Sequence, residues 1–306
     1  QASAGRSMEH LARLRLSVHP PTAAIVRTVL LRALASSPAA LAAALRRYRH
    51  LLLHARDAHR AGRRLTRAEL RAFAGEVEEQ LVLWELLADG SGNGELALDD
   101  LDALDDVAAG TATAAASGDP KLQRLRRLLS DGRPTLVFAT RRETVRYLRD
   151  RLCPPLVAWC TGDRAGLGHA PAARGAVLGW FQDDGRADGP QCLVVTDVAA
   201  EGLDLRRAAR VVHYDLPWTP MRLEQREGRA IRLGSRHSCV EVVQFSLPAG
   251  LERRLRVSAT LSRKHRLPAL AGIGAAMLLL GGPEAMHGSL RTVLAAVLDR
   301  MYGGQL

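Results

Sequence analysis

Between Asp119 and Pro248 the apolar residues come in short, nearly continuous runs, separated by segments with helical periodicity. The runs are Thr135 to Ala139, Leu156 to Trp159, Cys192 to Val195, Val211 to Tyr214 and Val240 to Phe245. A strand with one wet face alternates apolar and polar side chains. These runs do not, so both faces of each must be covered. Between them, Val145, Leu148 and Leu152 share one face of the segment Arg142 to Leu152. Val177, Leu178 and Phe181 do the same in Ala172 to Gln182. This order predicts an α/β fold, a parallel sheet with helices on both faces. Ligands of such sheets sit beyond the carboxyl ends of the strands.

The flanks differ. Residues 1–88 read as wholly helical, with Leu and Ala at three-to-four-residue spacing. Ser37 and Pro38 read as a helix start, a capping hydroxyl followed by proline at the first helical position. From Arg46 to Arg71 nine arginines face only Asp57 and Glu69. Such a run is more often a solvated helical face than a phosphate-facing one. Residues 89–118 are rich in Gly, Ala and Asp, with no basic residue, and read as an acidic flexible linker. Residues 119–249 form the α/β domain. Residues 250–306 return to helix, with apolar stretches around 269–280 and 290–301 split by Gly281-Gly282-Pro283.

Composition narrows the partners. The net charge is +11, and residues 89–119 alone carry −8, so the rest carries +19. That excess favours polyanions, nucleic acid above all. Four cysteines, at 153, 160, 192 and 239, show no metal-site spacing, so no metal site is expected within the chain and the thiols read as reduced. The longest uncharged apolar run, Leu267 to Gly282, is too short and too broken to span a bilayer. A cytoplasmic protein with no membrane association is expected. The first residue is Gln1, which suggests a fragment.

The chemistry-bearing residues lie just past the strand ends. After Cys192 to Val195 comes Thr196-Asp197-Val198-Ala199-Ala200-Glu201-Gly202-Leu203-Asp204-Leu205. Gly202 lets backbone amides approach a phosphate, and Asp204 suits ribose hydroxyls. After His213-Tyr214-Asp215-Leu216-Pro217-Trp218 a helix is expected, carrying Gln225, Gly228, Arg229, Arg232 and Gly234. Arg229 and Arg232, three apart, would share one helical face. Two adjacent guanidiniums repel each other unless an anion or surface acids lie between them. An anion there would be the transferring phosphoryl group of an arginine-finger mechanism.

Together these segments resemble the second RecA-like lobe of superfamily-2 helicases and translocases. Val194 to Leu205 is similar to motif V, and Gln225-x-x-Gly228-Arg229-x-x-Arg232-x-Gly234 to motif VI. Pro134 to Thr140 resembles motif IV, and Thr161-Gly162-Asp163 the phosphate-touching turn after it. Glu201-Gly202-Leu203, His213 to Trp218 and Arg222-Leu223-Glu224-Gln225-Arg226 are most similar to the Swi/Snf-like branch. Segments Ser36 to Leu41 and Leu45 to Arg47 resemble its inter-lobe helical insertion. Asp204 departs from that branch, which often has Asn there.

The resemblance implies roles. Arg229 and Arg232 would touch the γ-phosphate of ATP, and Gln225 would position the finger or water. Gly202, Asp204 and Gly228 would line the nucleotide. Thr140, Arg141, Gly162 and Thr196 would touch phosphates of double-stranded DNA. ATP and Mg2+ would be held mainly by the N-terminal RecA-like lobe. That lobe needs a Gly-Lys phosphate loop, and neither lysine here, Lys121 or Lys264, follows glycine. The expectation is the second lobe of an ATP-dependent double-stranded DNA translocase, inactive without the first. The alternative is a non-catalytic nucleic-acid-binding or protein-docking module on the same fold.

Overall fold

The computed structural model describes residues 2–74, 96–152, 157–183, 189–217, 219–231, 235, 237–258 and 260–261. The contacts divide the chain into two units. One comprises residues 1–120 with 248–255, the other residues 121–247 with 256–306. The two apolar stretches expected in the C-terminal extension, 269–280 and 290–301, lie outside the described residues.

The first unit is helical. It contains α1 (Ala2–Leu11), α2 (Pro20–Ser36), α3 (Pro38–Arg60), α4 (Arg67–Ala74), α5 (Asp100–Ala116) and α11 (Ala249–Leu255). The start of α3 is as the sequence predicts: the Ser37 hydroxyl accepts from Ala40 N at 3.1 Å, and Pro38 occupies the first turn. The linker expectation fails for residues 100–116, which form α5 and pack against α1 and α3. Leu104, Val107, Thr111 and Ala114 repeat every three or four residues and are buried. Asp100, counted among the linker acids, is 2% exposed. Its Oδ1 accepts from Arg15 N at 2.9 Å, and its Oδ2 from Leu16 N and Tyr48 Oη, both at 2.8 Å. Burial, with Asp100 alongside, pushes the Tyr48 hydroxyl pKa far up, so it remains a donor. The acid density is thus the wet side of an amphipathic helix and one buried anchor.

The second unit holds the sheet. Its elements in order are α6 (Pro120–Leu129), β1 (Thr135–Phe138), α7 (Arg142–Arg151), β2 (Val157–Cys160), β3 (Ala165–Leu167) and β4 (Ala170–Pro171). There follow α8 (Arg174–Gln182), β5 (Cys192–Val195), α9 (Asp197–Ala200), β6 (Arg210–His213), α10 (Pro220–Glu227) and β7 (Glu241–Gln244). The sheet order is β4-β3-β2-β5-β1-β6-β7. β2, β5, β1, β6 and β7 are parallel; β3 and β4 add antiparallel. Both faces are covered, as the unbroken apolar runs require. Leu136, Phe138, Leu193, Val195 and Val211 face Val177 and Phe181 of α8. Val137, Val194, Val212 and Val243 face Leu122 and Leu125 of α6 and Val145 and Leu148 of α7. The period of two within each strand sends neighbouring residues to opposite cores. This is a RecA-like α/β sheet, and the described residues that follow β1, β2, β5 and β6 carry the candidate motifs at its carboxyl edge. Among the described residues no helix is long and apolar enough to cross a membrane.

Candidate nucleotide and nucleic-acid edge

The carboxyl ends of β1, β5 and β6 converge on one buried arginine. Arg226, in the last turn of α10, is 2% exposed. Its Nε and Nη2 donate to the two carboxylate oxygens of Asp197 at 2.6 and 2.7 Å. Its Nη1 donates to the Asp215 carbonyl at 2.7 Å, and the guanidinium lies 5.2 Å from the Phe138 ring centroid. A bidentate pair of this kind fixes both distance and plane. Asp197 opens α9 just past β5, and Asp215 lies just past β6. One side chain therefore ties two strand ends to α10 and stacks on a third.

Asp215 extends the network. Its side chain takes the Lys121 ammonium at 3.0 Å and the Thr140 amide at 3.1 Å. The same ammonium lies 3.9 Å from the Tyr214 ring centroid. The loops after β1 and β6 are thus joined, and α6 is bound to them. Thr140 itself is half-buried, and its Oγ1 has no hydrogen-bond partner. Arg141 differs from the expectation of a phosphate contact: it is 3% exposed, so its side chain lies beneath the edge.

The turn after β2 is knotted on itself. Thr161 Oγ1 donates to Asp163 Oδ1 at 3.0 Å and accepts from Arg164 N at 3.2 Å. That bond, with the Arg142 guanidinium 3.3 Å away, holds the Asp163 carboxyl below the usual carboxylate range. Gly162 is exposed, and a Cβ there would meet Val198 Cγ1 at 3.3 Å. The turn and the start of α9 therefore approach closely. Thr196, 5% exposed, donates its amide to the Cys160 carbonyl at 3.2 Å. Gly162 and Thr196 thereby lie on neighbouring loops.

The motif VI segment differs from a continuous helix. α10 ends at Glu227, Gly228 caps it, and Arg229 lies in the turn beyond. Arg229 therefore does not share a helical face with a residue further on, and Arg232 and Gly234 lie outside the described residues. The Arg229 carbonyl accepts from Leu205 N at 2.8 Å. That bond sets the arginine beside the loop carrying Gly202 and Asp204. Arg229 is half-buried, and no side chain or carbonyl among the described residues pairs with its guanidinium. Gln225 is exposed. Gly202 has φ +74°, a left-handed conformation that a side chain would strain. Asp204 Oδ2 pairs with Arg206 at 2.6 Å, while its Oδ1 has no hydrogen-bond partner.

Sequence reading missed Arg226, Asp197 and Asp215 as a unit, and His213 with Glu227. The signal was present. Two acids closing apolar parallel strands need a cation, and Arg226 is one helical turn from Arg222 on the segment that follows.

The sheet gathers polar atoms without hydrogen-bond partners at its carboxyl edge, beside the Arg229 turn. Residues 120–234 match the family described as the helicase conserved C-terminal domain. The chain is 52% identical over 44 residues to the uncharacterized ATP-dependent helicase YqhH of Bacillus subtilis (strain 168), covering 14% of this chain and 8% of that protein. It is 30% identical over 139 residues to the RNA polymerase-associated protein RapA of Erwinia tasmaniensis, covering 42% and 13%. The chain thus spans a small part of the curated relatives it matches. Among solved structures, the C-terminal part of the Fun30 ATPase domain is similar at 13% identity and TM-score 0.36, covering 73% of this chain and 65% of that one.

Proposed function

We propose that the chain supplies the second RecA-like lobe of an ATP-driven motor of the Swi/Snf-like type that moves on double-stranded DNA. Arg229 and Arg232 reach the γ-phosphate of ATP. ATP and Mg2+ are gripped mainly by a phosphate-loop lobe supplied from outside these residues. No group of three His, Cys, Asp or Glu side chains among the described residues forms a metal site. The observation that carries this reading is the Arg229 guanidinium, unpaired among the described residues and held by its backbone beside Gly202 and Asp204. A guanidinium left unpaired among the described residues of this edge has its charge available for a phosphoryl group as negative charge develops there. Gly202 and Asp204 line the nucleotide, and Gln225 orients the finger or the attacking water. The Thr140 and Thr196 hydroxyls and the Gly162 backbone take DNA phosphates, which positions the duplex without reading its sequence.

The test is reconstitution. This chain by itself leaves ATP intact, with or without duplex DNA. Joined to a lobe carrying the phosphate loop, it gives hydrolysis that duplex DNA stimulates, and duplex affinity that falls steeply with added salt. Hydrolysis by the chain alone overturns the reading, as does duplex binding indifferent to salt.

A further inference from the structure

We propose that His213 and Glu227 form a positioning pair that holds the Arg229 turn in its working place at the sheet edge. The proposal rests on the reading of Arg229 as the phosphate-contacting arginine and names what presets it.

His213 is the last residue of β6 and is 0% exposed. Its ring stacks on Phe138, with centroids 6.2 Å apart and planes 23° apart. Its Nε2 lies 3.0 Å from Glu227 Oε1. Burial holds the imidazole below its ordinary pKa, opposed by Glu227, so the ring is neutral at neutral pH. A neutral ring facing a carboxylate carries its hydrogen on the facing nitrogen, so Nε2 donates to Glu227. Nδ1 is then an acceptor, and it is buried with no hydrogen-bond partner. An apolar side chain would fill this space without that penalty. The imidazole is therefore not explained by packing alone. What it provides is a donor aimed at Glu227.

Glu227 is the last residue of α10 and follows Arg226 directly. Successive residues on a helix point about 100° apart. Arg226 reaches Asp197 and the Asp215 carbonyl, while Glu227 reaches His213. Two anchors in different directions fix both the position of the last turn and its rotation about the helix axis. Neither alone does both. The chain then passes through Gly228 to Arg229, whose carbonyl is held by Leu205 N, and to Ala230, which is fully buried. The backbone is tied on both sides of the arginine while its guanidinium stays unpaired among the described residues. The pair also commits the Glu227 carboxylate to the interior, away from the cation two residues on. Preset geometry of this kind matters because a transition-state contact displaced by about 1 Å loses roughly 100-fold in rate.

The test compares Glu227→Ala, Glu227→Gln and Arg229→Ala, both in this chain and joined to the phosphate-loop lobe. Hydrogen exchange in the chain reads the Leu205 amide, which Arg229 protects, against the amides of β1 and β5. Steady-state hydrolysis in the joined protein reads kcat and KM for ATP. E227A is expected to speed exchange at Leu205 with the strand amides unchanged. It is expected to lower kcat about 10- to 100-fold with KM for ATP held within about twofold. E227Q keeps an oxygen for the His213 donor and restores most of both. Wild-type protection of Leu205 in E227A overturns the proposal, whatever the protein's activity. Unchanged kcat in E227A, where R229A abolishes turnover, also overturns it while leaving the proposed function standing. Full turnover in R229A removes the finger reading and this role together.

Discussion

The two ends of the parallel strands treat their arginines in opposite ways. At the amino-terminal end, Arg210 opens β6 with its side chain 3% exposed. It donates to Glu241 at 2.8 Å, to Asp131 at 2.5 and 3.1 Å, and to the Leu128 carbonyl at 2.5 Å. Arg207 nearby gives its guanidinium to the Phe181 and Pro190 carbonyls, both at 3.0 Å, and to Gln191 at 3.1 Å. At the carboxyl end Arg226 is as fully engaged, yet three residues later the Arg229 guanidinium has no partner among the described residues. Thr140 Oγ1, Asp204 Oδ1, His213 Nδ1 and Thr219 Oγ1, each buried without a hydrogen-bond partner, also close or follow β1, β5 and β6. Buried polar groups are normally matched, so a collection of unmatched ones marks where matching partners come from outside. A saturated arginine is structural; an unsaturated one on an anchored turn is kept for a ligand.

The contrast breaks most visibly in a pair of alanine variants. In the joined protein, Arg229→Ala is expected to lower kcat by at least about 1,000-fold, as loss of a phosphoryl-contacting arginine does. Its effect on the melting of this chain should stay within about 0.5 kcal/mol, because no local partner is orphaned. Arg210→Ala inverts the pattern. It leaves the partly exposed Asp131 and Glu241 carboxylates without their shared cation, removes the donor to the Leu128 carbonyl, and costs about 1–3 kcal/mol of stability by denaturant unfolding. Turnover of the surviving folded fraction is unaffected. Equal effects of the two variants on kcat would erase the distinction between the edges. Arg226→Ala sits between them and is expected to lose both, since it breaks a buried pair and frees the turn before Arg229.

A smaller effect sharpens the same comparison. Thr140→Val removes a hydroxyl that has no hydrogen-bond partner. Thermal stability should hold or rise slightly, while duplex affinity in the joined protein weakens by about 1 kcal/mol, roughly fivefold. A hydroxyl used only inside the fold would give the reverse, lower stability with unchanged affinity.

How much of this the sequence carried varies by element. The five parallel strands and the helices α7 and α8 were legible because both sheet faces are buried, which leaves continuous apolar runs and clean helical stripes. The short strands β3 and β4 were not. They are held by tertiary contact: a Cβ on Gly166 would collide with the Ala170 carbonyl and the Trp159 ring, and Trp159 Nε1 donates to the Gly168 carbonyl at 2.9 Å. No periodicity survives in three residues. The helix α5 hid behind its charge, since its buried stripe of Leu104, Val107, Thr111 and Ala114 is weakly apolar beside so many acids. At the candidate site, the motif residues could be picked out, but which arginine turns inward could not. Arg222, Arg226 and Arg229 follow one another at helical spacing. Only the cap at Gly228 and the acids beyond β5 and β6 decide that Arg226 is buried and Arg229 is not.

The mildest prediction concerns acid. Hydrogen bonding from Arg210 holds the Asp131 carboxyl below its ordinary pKa, outweighing the opposing effect of partial burial. A carboxyl with a depressed folded-state pKa binds its proton more weakly folded than unfolded. Its contribution to stability is therefore fully present above the ordinary carboxylate range and is lost as pH falls through the lower, folded value. Solvent reaches this carboxylate, with 37% of its side chain exposed, so the contribution is modest. Melting temperature measured from pH 7 downward should fall in the wild-type chain, and more gently in Asp131→Asn, with the two curves converging at low pH.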